Sequence, residues 1–158
     1  MTRELTQTEV AYLAGIFDGE GCISIMRRHC YRPRLGRVVK DYSIHVRVGN
    51  TSAQLLDWIA ERVGGAIYSQ KVVGNRQKAW HWHLGKRDAA EYLRLIRPYV
   101  IVKTRQIDLA LKFIGLGRDI VPTVRAEMYE QMRELNSRGA GKGTADGAAS
   151  VTTNPREL

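Results

Sequence analysis

The chain has 158 residues, enough for one compact domain with a sizeable core, and carries a formal charge of +9 with a sequence pI near 9.9. A field of that sign draws polyanions to the surface, so nucleic acid is the leading partner class. No run approaches the roughly 18 consecutive apolar residues of a spanning helix. The N-terminus also lacks the apolar stretch of a signal peptide, so a soluble, intracellular protein with no membrane partner is expected.

In chain order, Thr6 and Glu9 have the spacing of a capping box, which predicts a helix from about Gln7. It carries Val10, Leu13 and Phe17 on one stripe and ends around Gly19 to Gly21. "CISIMRRHCYR" and "YSIHVRVGN" then alternate apolar and polar residues. They read as strands with Ile23, Ile25, Ile44, Val46 and Val48 on one face and Ser24, Met26, Arg28, Ser43, His45 and Arg47 on the other. Between them "RPRLGRVVKD" predicts a long basic connection rather than a tight turn. "SAQLLDWIAERVGG" is a second helix, capped at Thr51 or Ser52 and stopped by Gly64 and Gly65. "AIYSQKV" and "AWHWHLG" read as two further strands joined through "VGNRQ".

"KRDAAEYLRLIRPYV" forms a third helix closed by Pro98, and "KTRQIDLALKFIGLG" a fourth with Ile107, Leu111 and Ile114 on its stripe. "VRAEMYEQMRELN" is the last amphipathic helix. Residues 139–158 are small and polar, which predicts a disordered tail after a domain spanning 1–138. Helix, two strands, helix, two strands and further helices describe an α+β layer, four mostly antiparallel strands with helices on one face. Trp80 and Trp82 share one strand face with His81 and His83 opposite, so the tryptophans are expected to pack inward or against a second chain before they stack on bases. Cys22 and Cys30 lie on one strand with no CxxC or HxxxH spacing, which points to two reduced thiols rather than a disulfide framework or a zinc site.

The stretch "YLAGIFDGEG" stands out. Ala11, Ala14, Gly15 and Gly19 leave one side of the first helix almost bare, so another backbone can approach it closely. No other helix carries matching small residues, and the natural partner is the same helix of a second copy. Ala11, Ala14, Gly15, Asp18 and Gly19 are the expected contact set. Glu20 falls at the C-terminal end, where the helix dipole is negative and an acid needs a compensating cation. Two copies would bring together carboxylates and carbonyls, hard oxygen donors suited to Mg²⁺. The residues alone leave open that Asp18 and Glu20 merely solvate a helix end.

Leu13-Ala14-Gly15-Ile16-Phe17-Asp18-Gly19-Glu20-Gly21 resembles the nine-residue signature of the LAGLIDADG homing endonucleases, followed, as in that family, by an alternating strand. "VGNTSAQLLDWIAERVGG" and "LRLIRPYVIVKTRQIDLAL" match further family segments in the right order, over about residues 8 to 115. The resemblance implies an αββαββα core whose four-stranded saddle lies in the DNA major groove. A single signature implies a homodimer with both signature helices at its axis. By motif position, Glu20, with the Gly19 carbonyl, would bind Mg²⁺, for which Mn²⁺ or Ca²⁺ substitutes in binding. Lys103 matches the active-site lysine, and Asn50 falls where the family often has a water-positioning polar residue. The implied reaction is metal-dependent cleavage of both DNA strands at a long pseudo-palindromic site, leaving 3′ overhangs. The same scaffold also serves RNA-binding splicing maturases and non-cleaving DNA-binding regulators.

If the apolar face meets the helices, then Ser24, Met26, Arg28, Arg32, Ser43, His45 and Arg47 face DNA. Arg28 and Arg47 are the leading base readers, because guanidinium bonds guanine bidentately. On the second hairpin Tyr68, Gln70, Arg76 and Lys78 are further candidates, with plain surface charge as their alternative.

Overall fold

The computed structural model describes residues 4–70, 77–117 and 121–139. Helix α1 spans Gln7–Glu20, and its capping box is formed: Thr6 Oγ1 accepts from the Glu9 amide and the Thr6 amide donates to Glu9 Oε2 at 3.1 Å. Arg62 Nε donates to the other Glu9 oxygen at 3.0 Å, which fastens α1 to helix α2, Ala53–Val63. Helix α1 buries Val10, Leu13, Ala14 and Phe17.

Strands β1 (Gly21–Arg32) and β2 (Arg37–Asn50) form one long hairpin, in register from Gly21 opposite Val48 to Arg32 opposite Arg37. The long basic connection expected between them is absent. A single 3₁₀ turn, Pro33–Leu35, reverses the chain, and Gly36 closes it at φ 59°, a left-handed conformation that glycine adopts without strain. Apart from Arg34 in the turn, the charges of this segment therefore lie on paired strands. Strands β3 (Ala66–Ser69) and β4 (Trp80–Leu84) complete a fully antiparallel sheet of order β1-β2-β4-β3. The stretch joining them, residues 71–76 with Arg76, lies outside the described residues.

Ile23, Ile25, Ile44, Val46, Val48, Trp82 and Leu84 pack the inner face of the sheet against the helices. Helix α3 (Lys86–Ile96) contributes Tyr92, whose ring meets Trp82 and Phe17 edge-on at 5.2 and 5.6 Å. Burial pushes the Tyr92 phenol well above its ordinary pKa. Trp82 is wholly inside, and its indole N–H donates to the Gly64 carbonyl at 2.7 Å. Gly65 follows at φ 98°, with Trp82 Nε1 only 2.5 Å from where a Cβ would stand.

Helix α4 (Thr104–Gly115) buries Ile107, Ala110 and Phe113, while Leu111 and Ile114 of the expected stripe pack only at its margin. Both sets fit helical spacing, and the packing of α4 between its neighbouring helices and the sheet decides which is buried. Helix α5 (Pro122–Gly139) covers the β1 edge through Met128 and Met132, and Asn136 Nδ2 donates to the Ile23 carbonyl at 2.9 Å. That satisfies a polar group on an edge strand. Beyond Gly139, the tail expected from the sequence lies outside the described residues. Among the described residues, no helix is long and apolar enough to cross a membrane.

Candidate acidic centre and nucleic-acid interface

The C-terminus of α1 meets the N-terminus of α4. Asp18 is half-buried there, and its carboxylate accepts three backbone amides: Ile101 at 2.7 Å, Val102 at 3.2 Å and Lys103 at 3.1 Å. Lys103 is the N-cap residue of α4, so Asp18 supplies the anion that a helix N-terminus attracts. In return, the Lys103 ammonium donates to the Asp18 carbonyl, among the free carbonyls that end α1. Each helix end thus receives the charge its dipole favours. Lys103 places a cation at the end of α1.

Asp18 therefore ties two helices of its own chain together. Ala14 is fully buried in this chain's core and has no surface to offer, which corrects its expected place in a dimer contact. The helical turn points it the same way as Leu13 and Phe17, not toward Gly15. Ala11, Gly15 and Gly19 are exposed, and nothing lies within 4 Å of a Cβ built on either glycine. Beside this bare face Ile101 and Val102 stand 84% and 70% exposed, an unusual degree for aliphatic side chains in a turn so firmly fixed.

Glu20 is exposed and makes no hydrogen bond or ion pair among the described residues. Those residues contain no group of three or more His, Cys, Asp or Glu side chains able to hold a metal. One chain offers the Glu20 carboxylate and neighbouring carbonyls. These hard donors fit Mg²⁺ in kind, since that ion keeps several waters and takes one or two carboxylates plus phosphate oxygens. Asn50 ends β2, opposite Trp80, and its Oδ1 accepts the Ser52 amide at 2.8 Å at the start of α2. Its amino group is left to meet water.

The outer face of the sheet carries the side chains that strand parity assigned to it. Ser24 lies opposite His45, Met26 opposite Ser43 and Arg28 opposite Asp41, with Arg47 opposite Cys22. Arg32 reaches Asp41 at 3.5 Å in an exposed pair. Tyr68 and Gln70 also stand on this face, the latter 3.3 Å from His81 Nε2. Lys78 does not: its ammonium sits 5.1 Å from the Trp80 ring centroid, on the helix-facing side of β4, drawn there by the cation–π attraction.

Three histidines complete the surface. His83 lies opposite Arg47, and His81 opposite Gly49, where a Cβ would come within 2.9 Å of His81 Nδ1. His45 is held below the ordinary imidazole range, first by burial and then by His83, Arg28 and Arg47. The alternation of β4 already placed His81 and His83 opposite the tryptophans. Only the β2–β4 register puts them beside His45 and Arg47.

An acid-ended helix beside a polar, arginine-bearing saddle backed by helices defines the architecture of the LAGLIDADG homing endonucleases, and the chain has that fold. It is similar to the homing endonuclease I-CvuI, solved with its target in the presence of Ca, at TM-score 0.66 and 23% identity over 82% of each chain. It is also similar to the archaeal intron-encoded homing endonuclease I-Vdi141I complexed with DNA, at TM-score 0.63 and 16% identity over 89% of each chain. Of the meganuclease I-SmaMI it matches 47%, at TM-score 0.61 and 15% identity. By sequence, no family model and no curated protein matches the chain. At these identities the likeness establishes the fold, and the chemistry must be argued from the residues.

Proposed function

We propose that the chain is a metal-dependent DNA endonuclease, acting as a homodimer to break both strands of a long pseudo-palindromic site and leave 3′ overhangs. The observation that carries this reading is the fixed placement of the Lys103 ammonium on the last turn of α1, two residues from a free Glu20 carboxylate. A protein that only binds DNA gains nothing from an unpaired acid near phosphates. The likeness to DNA-bound homing endonucleases supports the same reading.

Double-stranded DNA lies along the sheet, where Arg28 and Arg47 meet base edges and the net positive charge draws in the phosphates. The bare face of α1 takes the same face of a second copy, with Ile101 and Val102 covered at its border. Matching just under half of a longer meganuclease chain supports a working unit made of two such domains. Glu20 and the Gly19 carbonyl would hold Mg²⁺, which when bound supplies Lewis acidity and a more acidic water. Lys103 stabilises negative charge gathering on the phosphate. The Asn50 amino group orients the attacking water.

The test is cleavage of a pooled library of long DNA sites by the purified chain in Mg²⁺, with DNA affinity measured in parallel. Glu20→Gln is expected to keep affinity while cleavage falls at least about 100-fold, the scale set by removing one charge-stabilising group. Equal loss of binding and cleavage would make Glu20 structural. Binding without any cleavage by the parent chain would make the protein a non-cleaving regulator.

A further inference from the structure

The register of β2 and β4 joins two histidines and a serine into one hydrogen-bond chain on the outer face of the sheet. His45 Nε2 lies 3.2 Å from Ser43 Oγ, and His45 Nδ1 lies 3.3 Å from His83 Nε2. The imidazole centroids are 5.1 Å apart, with the planes inclined at 59°. Among the described residues, nothing in the chain bonds His83 Nδ1, so the far end of the series is free.

A neutral imidazole carries one N–H, on one of its two nitrogens. The contact between His45 Nδ1 and His83 Nε2 holds a single proton, and two arrangements follow. In the first, His45 Nδ1–H donates to His83. His45 Nε2 is then bare and accepts the Ser43 hydroxyl proton, and His83 keeps its own proton on Nδ1. The outer ends are a donor at His83 and lone pairs at Ser43.

In the second, His83 Nε2–H donates to His45. His45 Nε2–H then donates to Ser43, whose hydroxyl proton turns outward. The outer ends are now lone pairs at His83 and, at Ser43, a donor with one remaining lone pair. No other arrangement of neutral rings keeps both bonds. An added proton would break the rule, but burial, His83, Arg28 and Arg47 all oppose a charge on His45.

We propose that Ser43, His45 and His83 read DNA as one coupled unit, so that a donor at one end imposes an acceptor at the other. This rests on the DNA-binding reading above. In the major groove adenine and cytosine present an amino donor where guanine and thymine present a keto acceptor. On the strand each end faces, a keto base opposite His83 goes with an amino base opposite Ser43, and a keto base opposite Ser43 with an amino base opposite His83. Keto with keto requires both ends to donate and leaves one carbonyl facing lone pairs at a desolvated contact, whereas amino with amino is accepted in the second arrangement by His83 and by the remaining Ser43 lone pair.

The experiment selects a randomised double-stranded DNA library for binding to the purified full chain, in Ca²⁺, and sequences the bound fraction. Two positions in each half-site are expected to be coupled, with the keto–keto combination depleted about tenfold relative to the other three. Ser43→Ala and, separately, His83→Ala are expected to abolish that correlation while preferences at other positions persist. Bound sites whose positions all vary independently would overturn the inference, as would a correlation that survives both substitutions. Absence of any DNA binding would overturn the underlying reading and the inference with it.

Discussion

Asp18→Asn tests the joint between the signature helix and the turn that carries Lys103. The Asp18 carboxylate accepts three amides at 2.7 to 3.2 Å, all at or just before the N-terminus of α4. Asparagine keeps the shape and one acceptor oxygen, but it removes the charge and turns an amino group toward backbone donors. Hydrogen bonds to a charged acceptor contribute about 1.5–3 kcal/mol each in favourable settings. Here water reaches the site, one oxygen survives and the helix-dipole term is small, so the net loss is about 2–3 kcal/mol. For a domain of this size that lowers Tm by roughly 5–10 °C. Thermal unfolding followed by circular dichroism reads the shift, and cleavage measured well below the new midpoint should also fall, because the turn holding Lys103 is released. A variant melting within about 1 °C of the parent would refute the clamp.

Trp82→Phe removes the indole N–H that satisfies the Gly64 carbonyl and leaves a gap in the core, so urea unfolding should show a loss of about 2–4 kcal/mol. A Cβ at Gly15 meets nothing within 4 Å in its own chain, so Gly15→Leu tests the bare face alone. The variant should therefore stay folded by circular dichroism, while sedimentation velocity reports a monomer; an unchanged dimer would sink the proposed contact. The His45 pKa lies below its ordinary 6.5 in the folded chain. As pH falls through 6.5 toward the folded value, the unfolded chain binds more protons, so this contribution to stability declines over that window and is gone below it. Urea midpoints at about pH 7.5 and pH 5.5 should therefore differ less in His45→Gln than in the parent. Equal differences would refute the assignment.

Much of this protein is settled within single elements. The Thr6 capping box, the Ser52 cap and the strand alternation act between residues a few positions apart, and their physics is already present in the chain. The signature glycines and Glu20 were legible for the same reason, since a bare helix face and an acid at an unfavourable helix end are properties of one segment. Tertiary structure decided what no segment contains. Ala14 and Gly15 are neighbours in sequence, yet one lies in the core and the other faces outward, because docking against the sheet fixes the rotation of α1. The Arg32–Arg37 pairing shows that one 3₁₀ turn suffices where charge and proline had predicted a long connection. Asp18 and Lys103 lie 85 residues apart, and only the meeting of two helix ends makes each the other's counter-charge. His45 and His83 become one proton chain only through the register of β2 with β4, for which no local propensity exists.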